Sequence, residues 1–319
     1  MYFPYIRGRQ FDLLALRDLV EKNLLHDHIV PIIEPVSLSS TLVSTITQFN
    51  ARKHPLAIIR NPEVGSFSEE FGALDGATGN VSRKQDFAAE MLQPFMLQAL
   101  IMNNGLPGVL SAVTESGIEK QDLVVVLNDR DMLKPYQSLF APDAPRFTVI
   151  PDEGVFRRNI TTNKVLLTDS FQRQERNADY SQKEDEFFSD AHLYYRSEGY
   201  VGFADYSIIG DSYNAAGFAP YAVAIHIVYP AIDKSLRVRH FVSDSNQDIN
   251  NPAQKFYQAL KKMVEWYENE RVVPLTLGLK ILLDHYQAQT YPGLGSLKKL
   301  TIMHHLELMG KLLDGGLFV

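Results

Sequence analysis

The stretch Leu123-Val124-Val125-Val126-Leu127-Asn128 decides the reading of the fold. It is an unbroken apolar run, rich in valine, that ends on an amide. A strand with one wet face alternates apolar and polar residues, whereas a strand covered on both faces is apolar throughout. The run is therefore a buried strand of the kind found in parallel sheets enclosed by helices. Working outward, comparable runs recur at Phe3–Arg7, Ile29–Glu34, Leu56–Arg60, Phe95–Met102, Phe147–Pro151, Lys164–Asp169 and Tyr200–Asp205. Of these, Phe95–Met102 reads equally well as helix. Helical spacing fills the gaps. Leu13, Leu16, Val20 and Leu24 follow the first strand, and Leu38, Leu42, Ile46 and Phe49 follow the second, with Ser37 or Ser39 as N-cap. Leu106–Ser116 and Met132–Leu139 follow the fourth and fifth, and Glu175–Asp190 reads as a solvated helix or loop. Eight strand–helix units before residue 206 are the count of an α/β fold of the (β/α)8, TIM-barrel-like type. A doubly wound open sheet is the rival, but the first turn, Arg7-Gly8-Arg9-Gln10, is not a dinucleotide fingerprint.

Past Asp205 the pattern changes. Tyr221–Tyr229 and Leu236–Val242 read as an antiparallel hairpin turning through Pro230–Ser235. Ala253, Phe256, Tyr257, Leu260, Val264 and Tyr267 then mark an amphipathic helix with Pro252 at its first position, and Leu275–Gln289 and Leu297–Leu313 follow as two more. The expected organisation is a barrel body over residues 1–210, a hairpin insertion over 211–250 and a helical cap packed on the barrel over 251–319. The segment Pro62–Asn80, with Gly65, Gly72, Gly76 and Gly79, reads as a mobile loop after the third strand, either a lid over the barrel mouth or an ordinary disordered surface insertion.

Composition narrows the chemistry. Lys and Arg number 31 against 38 Asp and Glu, a net charge of -7. The balance gives no global reason to bind nucleic acid, which stays open only through a local basic site, or an anionic membrane. With no cysteine, disulfides, thiolate catalysis and Cys-ligated metals are excluded. Charges at Arg7, Arg9 and Asp12 interrupt any signal-peptide core, and the longest mostly apolar stretch, Tyr221–Ile232, is too short to span a bilayer. A cytoplasmic protein without a membrane segment is the expectation. Phosphate-loop, nucleophile-elbow and H-E-x-x-H motifs are absent.

In a (β/α)8 barrel, catalytic groups gather at the C-terminal strand ends. Those ends are Arg7, Glu34, Arg60, Asn128, Asp152 or Glu153, Asp169 and Asp205. Glu34 shares parity with Val30 and Ile32, Asp169 with Val165 and Leu167, and Asp205 with Val201 and Phe203. Each then closes an apolar file that could line the interior. Glu34, Asp169 and Asp205 are the candidate catalytic carboxylates and are expected to converge at one end of the barrel. Arg7, Arg60 and Asn128 are candidate substrate-binding groups, and the oxygen-rich set would suit a divalent metal. On the hairpin, a turn centred between Ile232 and Asp233 would set His226 opposite Arg239 and Ile225 opposite His240. His226, Arg237 and Arg239 would then form a basic face for an anion, while a one-residue slip would reverse the assignment. His304 continues the stripe of Leu300 and Leu308 and is expected buried and hydrogen-bonded, with His305 half-exposed. His26-Asp27-His28 precedes the second strand and reads as a surface turn.

Several of these segments together resemble one family. Tyr2-Phe3-Pro4-Tyr5-Ile6-Arg7-Gly8-Arg9-Gln10-Phe11-Asp12-Leu13-Leu14-Ala15-Leu16, Ile29-Val30-Pro31-Ile32-Ile33-Glu34-Pro35, Ile59-Arg60, Phe203-Ala204-Asp205-Tyr206 and His304-His305 are similar, in order and spacing, to the "beta protein" family of phage and bacterial proteins. The likeness is strongest over residues 2–36 and weakest over 62–122. It implies a role in phage–host conflict and supplies no catalytic residues. Two functions follow as expectations. One is a barrel hydrolase of a phosphoester, with Glu34, Asp169 and Asp205 as metal or base carboxylates and Arg7 and Arg60 holding phosphate. The other is a non-enzymatic recognition or scaffold subunit that binds a partner protein or phage component.

Overall fold

The computed structural model describes residues 1–72, 81–215, 220–270 and 273–315. Among these residues eleven strands follow in chain order: β1 (Tyr2–Arg7), β2 (Ile32–Glu34), β3 (Leu56–Ile59), β4 (Met96–Ile101), β5 (Val124–Val126), β6 (Phe147–Pro151), β7 (Lys164–Thr168), β8 (Asp185–Ser189), β9 (Gly202–Asp205), β10 (Ala224–Pro230) and β11 (Leu236–Val242). β1 to β7 and β9 close into a parallel barrel of eight strands, and β9 pairs with both β7 and β1. The expected (β/α)8 class is therefore what the chain adopts. The run that reads equally as helix is the strand β4.

Alternation along each strand builds the interior. Phe3 and Tyr5, Val30 and Ile32, Ala57 and Ile59, Leu97, Ala99 and Ile101, Val124 and Val126, Val149, Val165 and Leu167, and Ala204 and Tyr206 form one buried apolar cluster. These residues share one parity on each strand, because successive side chains point to opposite sides of a sheet. The other parity faces the helical layer. Helices Gln10–Glu21 and Ser40–Arg52 cover it with Leu13, Leu16, Leu42, Ile46 and Phe49, all fully buried. Ser39 caps the second of these, accepting the Leu42 N–H at 3.1 Å.

The chain divides into two compact units. The first comprises residues 1–23, 27–168 and 194–206, which is the barrel. The second comprises residues 24–26, 169–193 and 207–319. The hairpin and the C-terminal helices thus belong to one unit, and residues 169–193 join them. β8 pairs antiparallel with β11 to complete a sheet ordered β10-β11-β8. The acidic stretch Glu175–Asp190 therefore contains a strand. Helix Pro252–Glu270 packs Trp266 against Tyr229 and Phe241, with ring centroids 5.2 and 5.4 Å apart. Helices Leu277–Ala288 and Leu294–Leu313 lie so close that a side chain at Gly278 would overlap the Leu300 carbonyl oxygen.

Two local expectations are corrected. Within Pro62–Asn80, residues 73–80 lie outside the described residues, but 62–72 is built rather than loose. Gly65 takes φ +73°, where a Cβ would run into the Val36 carbonyl, and helix Phe67–Gly72 follows. Phe67 stacks on Phe71, and Phe87 meets both edge-on. Three aromatic rings supply the burial that the glycine count seemed to deny. On the hairpin, His226 pairs with His240, Ile225 with Phe241 and Ile227 with Arg239. The register is one residue from the expected pairing of His226 with Arg239. The cause lies in the turn, which is centred on Asp233. Lys234 adopts φ +70°, Asp233 Oδ1 accepts from both the Ser235 N–H and its hydroxyl, and Ala231 bonds back to Ser235.

Candidate functional site

The barrel mouth is built by continuing the interior files past the strand ends. Phe3 and Tyr5 lead to Arg7, Val30 and Ile32 to Glu34, Ala57 and Ile59 to Asn61, Ala99 and Ile101 to Asn103, and Val124 and Val126 to Asn128. Polar residues thus succeed apolar ones at the C-terminal end of five neighbouring strands, the end where barrels carry their chemistry. Glu34 is wholly buried. Its carboxylate is ion-paired with the Arg7 guanidinium. It also accepts the Tyr5 hydroxyl at 2.6 Å and the Glu63 N–H at 2.8 Å. The Arg7 guanidinium lies 5.2 Å from the Tyr5 ring centroid and 5.6 Å from that of Tyr206. From Glu63 the network runs on. The Asn103 amide donates to Glu63 Oε1 at 3.0 Å, and Asn61 donates to Asn103 Oδ1 at 3.2 Å while bonding both backbone groups of Ile101.

Beside this network lies a cavity of about 760 Å3, lined by Glu63, Met102, Asn103, Asn104, Asn128, Asp129, Arg130, Asp131, Met132 and Glu153. Four carboxylates face it against one arginine, and the Arg130 guanidinium is already held by Glu153, Nε to Oε2 at 2.8 Å. Asp129 Oδ1 accepts the Asp131 N–H at 2.9 Å, which fixes the turn after β5. Such a mouth favours cations and hydrogen-bond donors over phosphate.

Of the sequence candidates, Arg7, Glu34 and Asn128 reach the mouth. Two do not. Arg60 has the parity of Ile58, so it points into the helical layer. There it donates to Gln98 Oε1 at 2.6 Å and lies over the Phe71 and Phe87 rings at 5.7 and 5.5 Å. Desolvation in that setting lowers its pKa. Asp205 has the parity of Phe203, and the interior file on β9 is instead Ala204 and Tyr206. Its carboxylate accepts the buried Tyr2 hydroxyl at 2.7 Å on the outer side of the wall. Glu34 and Asp205 thus close parallel strands at the same end of the barrel but lie on opposite faces of its wall, so the two do not share one site. Asp169 belongs to the second unit, where its carboxylate accepts the Asp211 N–H at 3.3 Å and burial raises its pKa. Glu63, Asn61, Asn103, Asp131 and Glu153 were the members missed or left aside. For Asn61 and Asn103 the signal was present, because each continues an interior file.

In the second unit the one-residue register shift separates the basic face. Arg237 and Arg239 share the side of Tyr229, where Arg237 Nε meets Asp185 Oδ1 at 2.5 Å and Arg239 lies over Trp266 at 5.6 Å. His226 is on the other side with His240. His304 is buried as expected. Thr276 accepts the Leu279 N–H, so its own hydroxyl hydrogen goes to His304 Nδ1 at 2.8 Å, and His304 Nε2–H donates to the Val228 carbonyl at 2.8 Å. His305, expected half-exposed, is wholly buried too, 2.8 Å from the Ser207 hydroxyl through Nδ1. The reason is that helix Leu294–Leu313 is covered nearly all round.

Among the described residues no group of three or more His, Cys, Asp or Glu is arranged to hold a metal ion, and no helix is long and apolar enough to cross a membrane. Protein-family models, curated proteins and solved structures all give no match to the chain.

Proposed function

We propose that this chain is a non-enzymatic recognition component of phage–host conflict whose barrel mouth binds a cationic group of its partner. The observation that carries the proposal is the excess of carboxylates around the cavity over β3 to β6, with its only lining arginine already paired. The conflict setting rests on the resemblance to the "beta protein" family. The competing phosphoester hydrolase loses its support at two points. Arg60 is turned into the helical layer, and Arg7 is spent on Glu34. A phosphoryl group would then meet a surplus of negative charge at the mouth.

Titration of a fluorescent oligo-lysine peptide tests the proposal. Binding is expected to weaken at least tenfold in an Asp129→Asn/Asp131→Asn variant and to be unchanged in Glu265→Gln, which removes an exposed charge from helix Pro252–Glu270. Equal weakening in both variants would reduce the effect to net charge and sink the proposal. Incubation of the protein with a chromogenic phosphodiester and Mg2+ or Mn2+ tests the hydrolase. Turnover abolished by Glu34→Gln would establish the enzymatic alternative.

A further inference from the structure

The second unit holds a line of hydrogen-bonding groups that the barrel mouth does not use. Glu186 on β8 is buried, and its Oε2 meets Lys183 Nζ at 2.7 Å. Its Oε1 lies 3.3 Å from Nε2 of His240 on β11. His240 Nδ1 in turn lies 2.7 Å from Nδ1 of His226 on β10. A carboxylate only accepts, so His240 carries its proton on Nε2. Burial favours the neutral imidazole in both histidines, which leaves a lone pair on His240 Nδ1. A hydrogen bond between two Nδ1 atoms needs one hydrogen, and it must then come from His226. His226 therefore holds its proton on Nδ1 and an open lone pair on Nε2. That atom has no hydrogen-bond partner among the described residues, and His226 is only half-buried. The rings of Tyr180 and Phe171 stand edge-on to the imidazole at 4.6 and 5.0 Å and hold its plane. Glu186, Asp185 and Lys183 act electrostatically on His240, and Arg173 acts on Tyr180, whose ring stands against His226.

We propose that Nε2 of His226 is an oriented proton-acceptor site for a ligand presenting an O–H or N–H group, with His240 and Glu186 as positioning residues. A carboxylate that fixes one imidazole tautomer, and through it the next, aims a lone pair outward in the way that acid–base sites require. If the ligand's proton transfers, the bonding pair stays with the ligand and His226 becomes an imidazolium. Its Nδ1–H still donates to His240, and the His240 Nε2–H remains on the Glu186 carboxylate. The site is independent of the barrel mouth, and its failure would leave the reading of that mouth intact.

Imidazole tautomers read by two-bond 1H–15N correlation at pH 7.5 test the site in the unmodified protein. The expected result is Nδ1–H for His226 and Nε2–H for His240, with loss of the His226 Nδ1–H signature in His240→Phe. Diethyl pyrocarbonate, mapped by peptide mass spectrometry, is expected to acylate His226 as well as the exposed His28. An Nε2–H tautomer at His226 in the unmodified protein would overturn the assignment, whether or not the variant folds. So would failure of His226 to be acylated under conditions that label His28.

Discussion

Glu34 shows what one buried charge demands of its surroundings. Its carboxylate is satisfied by a guanidinium, a hydroxyl and a backbone N–H, all from the mouth of the barrel. Removing one member of such a set leaves the opposite charge desolvated, at a cost of about 3–5 kcal/mol. Glu34→Ala is expected to lower unfolding stability by that amount in urea denaturation. Asp205 should behave differently. Its carboxylate accepts the neutral Tyr2 hydroxyl, a bond that an amide oxygen can also accept. Asp205→Asn is therefore expected to cost about 1 kcal/mol. Comparable losses in the two variants would contradict the assignment of Glu34 to an ion pair and Asp205 to a neutral bond. The same residues mark how far the sequence could be read. Parity with Ile32 placed Glu34 correctly, because β2 runs regularly up to it. Arg60 and Asp205 were each taken one residue from the true interior file, which passes instead through Asn61 and Tyr206. Charge drew attention to the residue next to the file. A neutral amide and a tyrosine at the strand tops carry the same positional information with a weaker chemical signal.

Elements are held by contacts that no local pattern announces. Helices Leu277–Ala288 and Leu294–Leu313 meet at Gly278, whose missing side chain makes room for the Leu300 carbonyl and the His304 backbone nitrogen. Both helices were legible in the sequence, and the phase of the second from Leu300 and Leu308. The glycine's role was not, since it depends on which turn of the partner helix lies opposite. Gly278→Ala should force the pair apart and cost about 1–3 kcal/mol, as overpacking does. The resulting shift should also lengthen the Thr276 and Val228 bonds to His304, visible as a change in its imidazole resonances. An unchanged melting temperature would mean that the helices can re-space freely. The hairpin teaches the same lesson. Both strands were legible from their apolar content. Their register depended on one residue, Lys234, entering the left-handed region beside the Asp233 cap. A lysine gives no sequence signal for that conformation, and the one-residue error moved His226 away from Arg239 and against His240.

At the scale of the whole molecule, counting strand–helix units predicted a closed barrel, because barrel strands are continuous apolar runs that composition alone reveals. β8 escaped the count, since only part of it is covered and three of the five residues in its sequence, Asp185-Glu186-Phe187-Phe188-Ser189, are charged or polar. The division into two units has a consequence for acid stability. His192, His226, His240, His304 and His305 all have pKa values lowered by burial, and all lie in the second unit. For His304 the value is about 4 and for His305 about 3, against 6.5 for the unburied group. A histidine whose folded pKa is depressed binds fewer protons folded than unfolded between the two values. Its contribution is therefore intact above pH 6.5 and is lost as the pH falls through 6.5 towards the folded pKa. His304 alone represents about 3 kcal/mol once the pH is below both values. Asp169 works in the opposite sense, because its raised pKa makes the folded state gain stability as the carboxyl protonates, but it is one group against five. Acidification from pH 7 to 4.5 should accordingly weaken the second unit before the barrel. Hydrogen exchange resolved by peptide is the measurement. Protection over residues 220–270 and 273–315 is expected to fall at pH values where β1 to β7 remain protected. Simultaneous loss in both units, or loss in the barrel first, would show that the buried histidines do not set the acid limit.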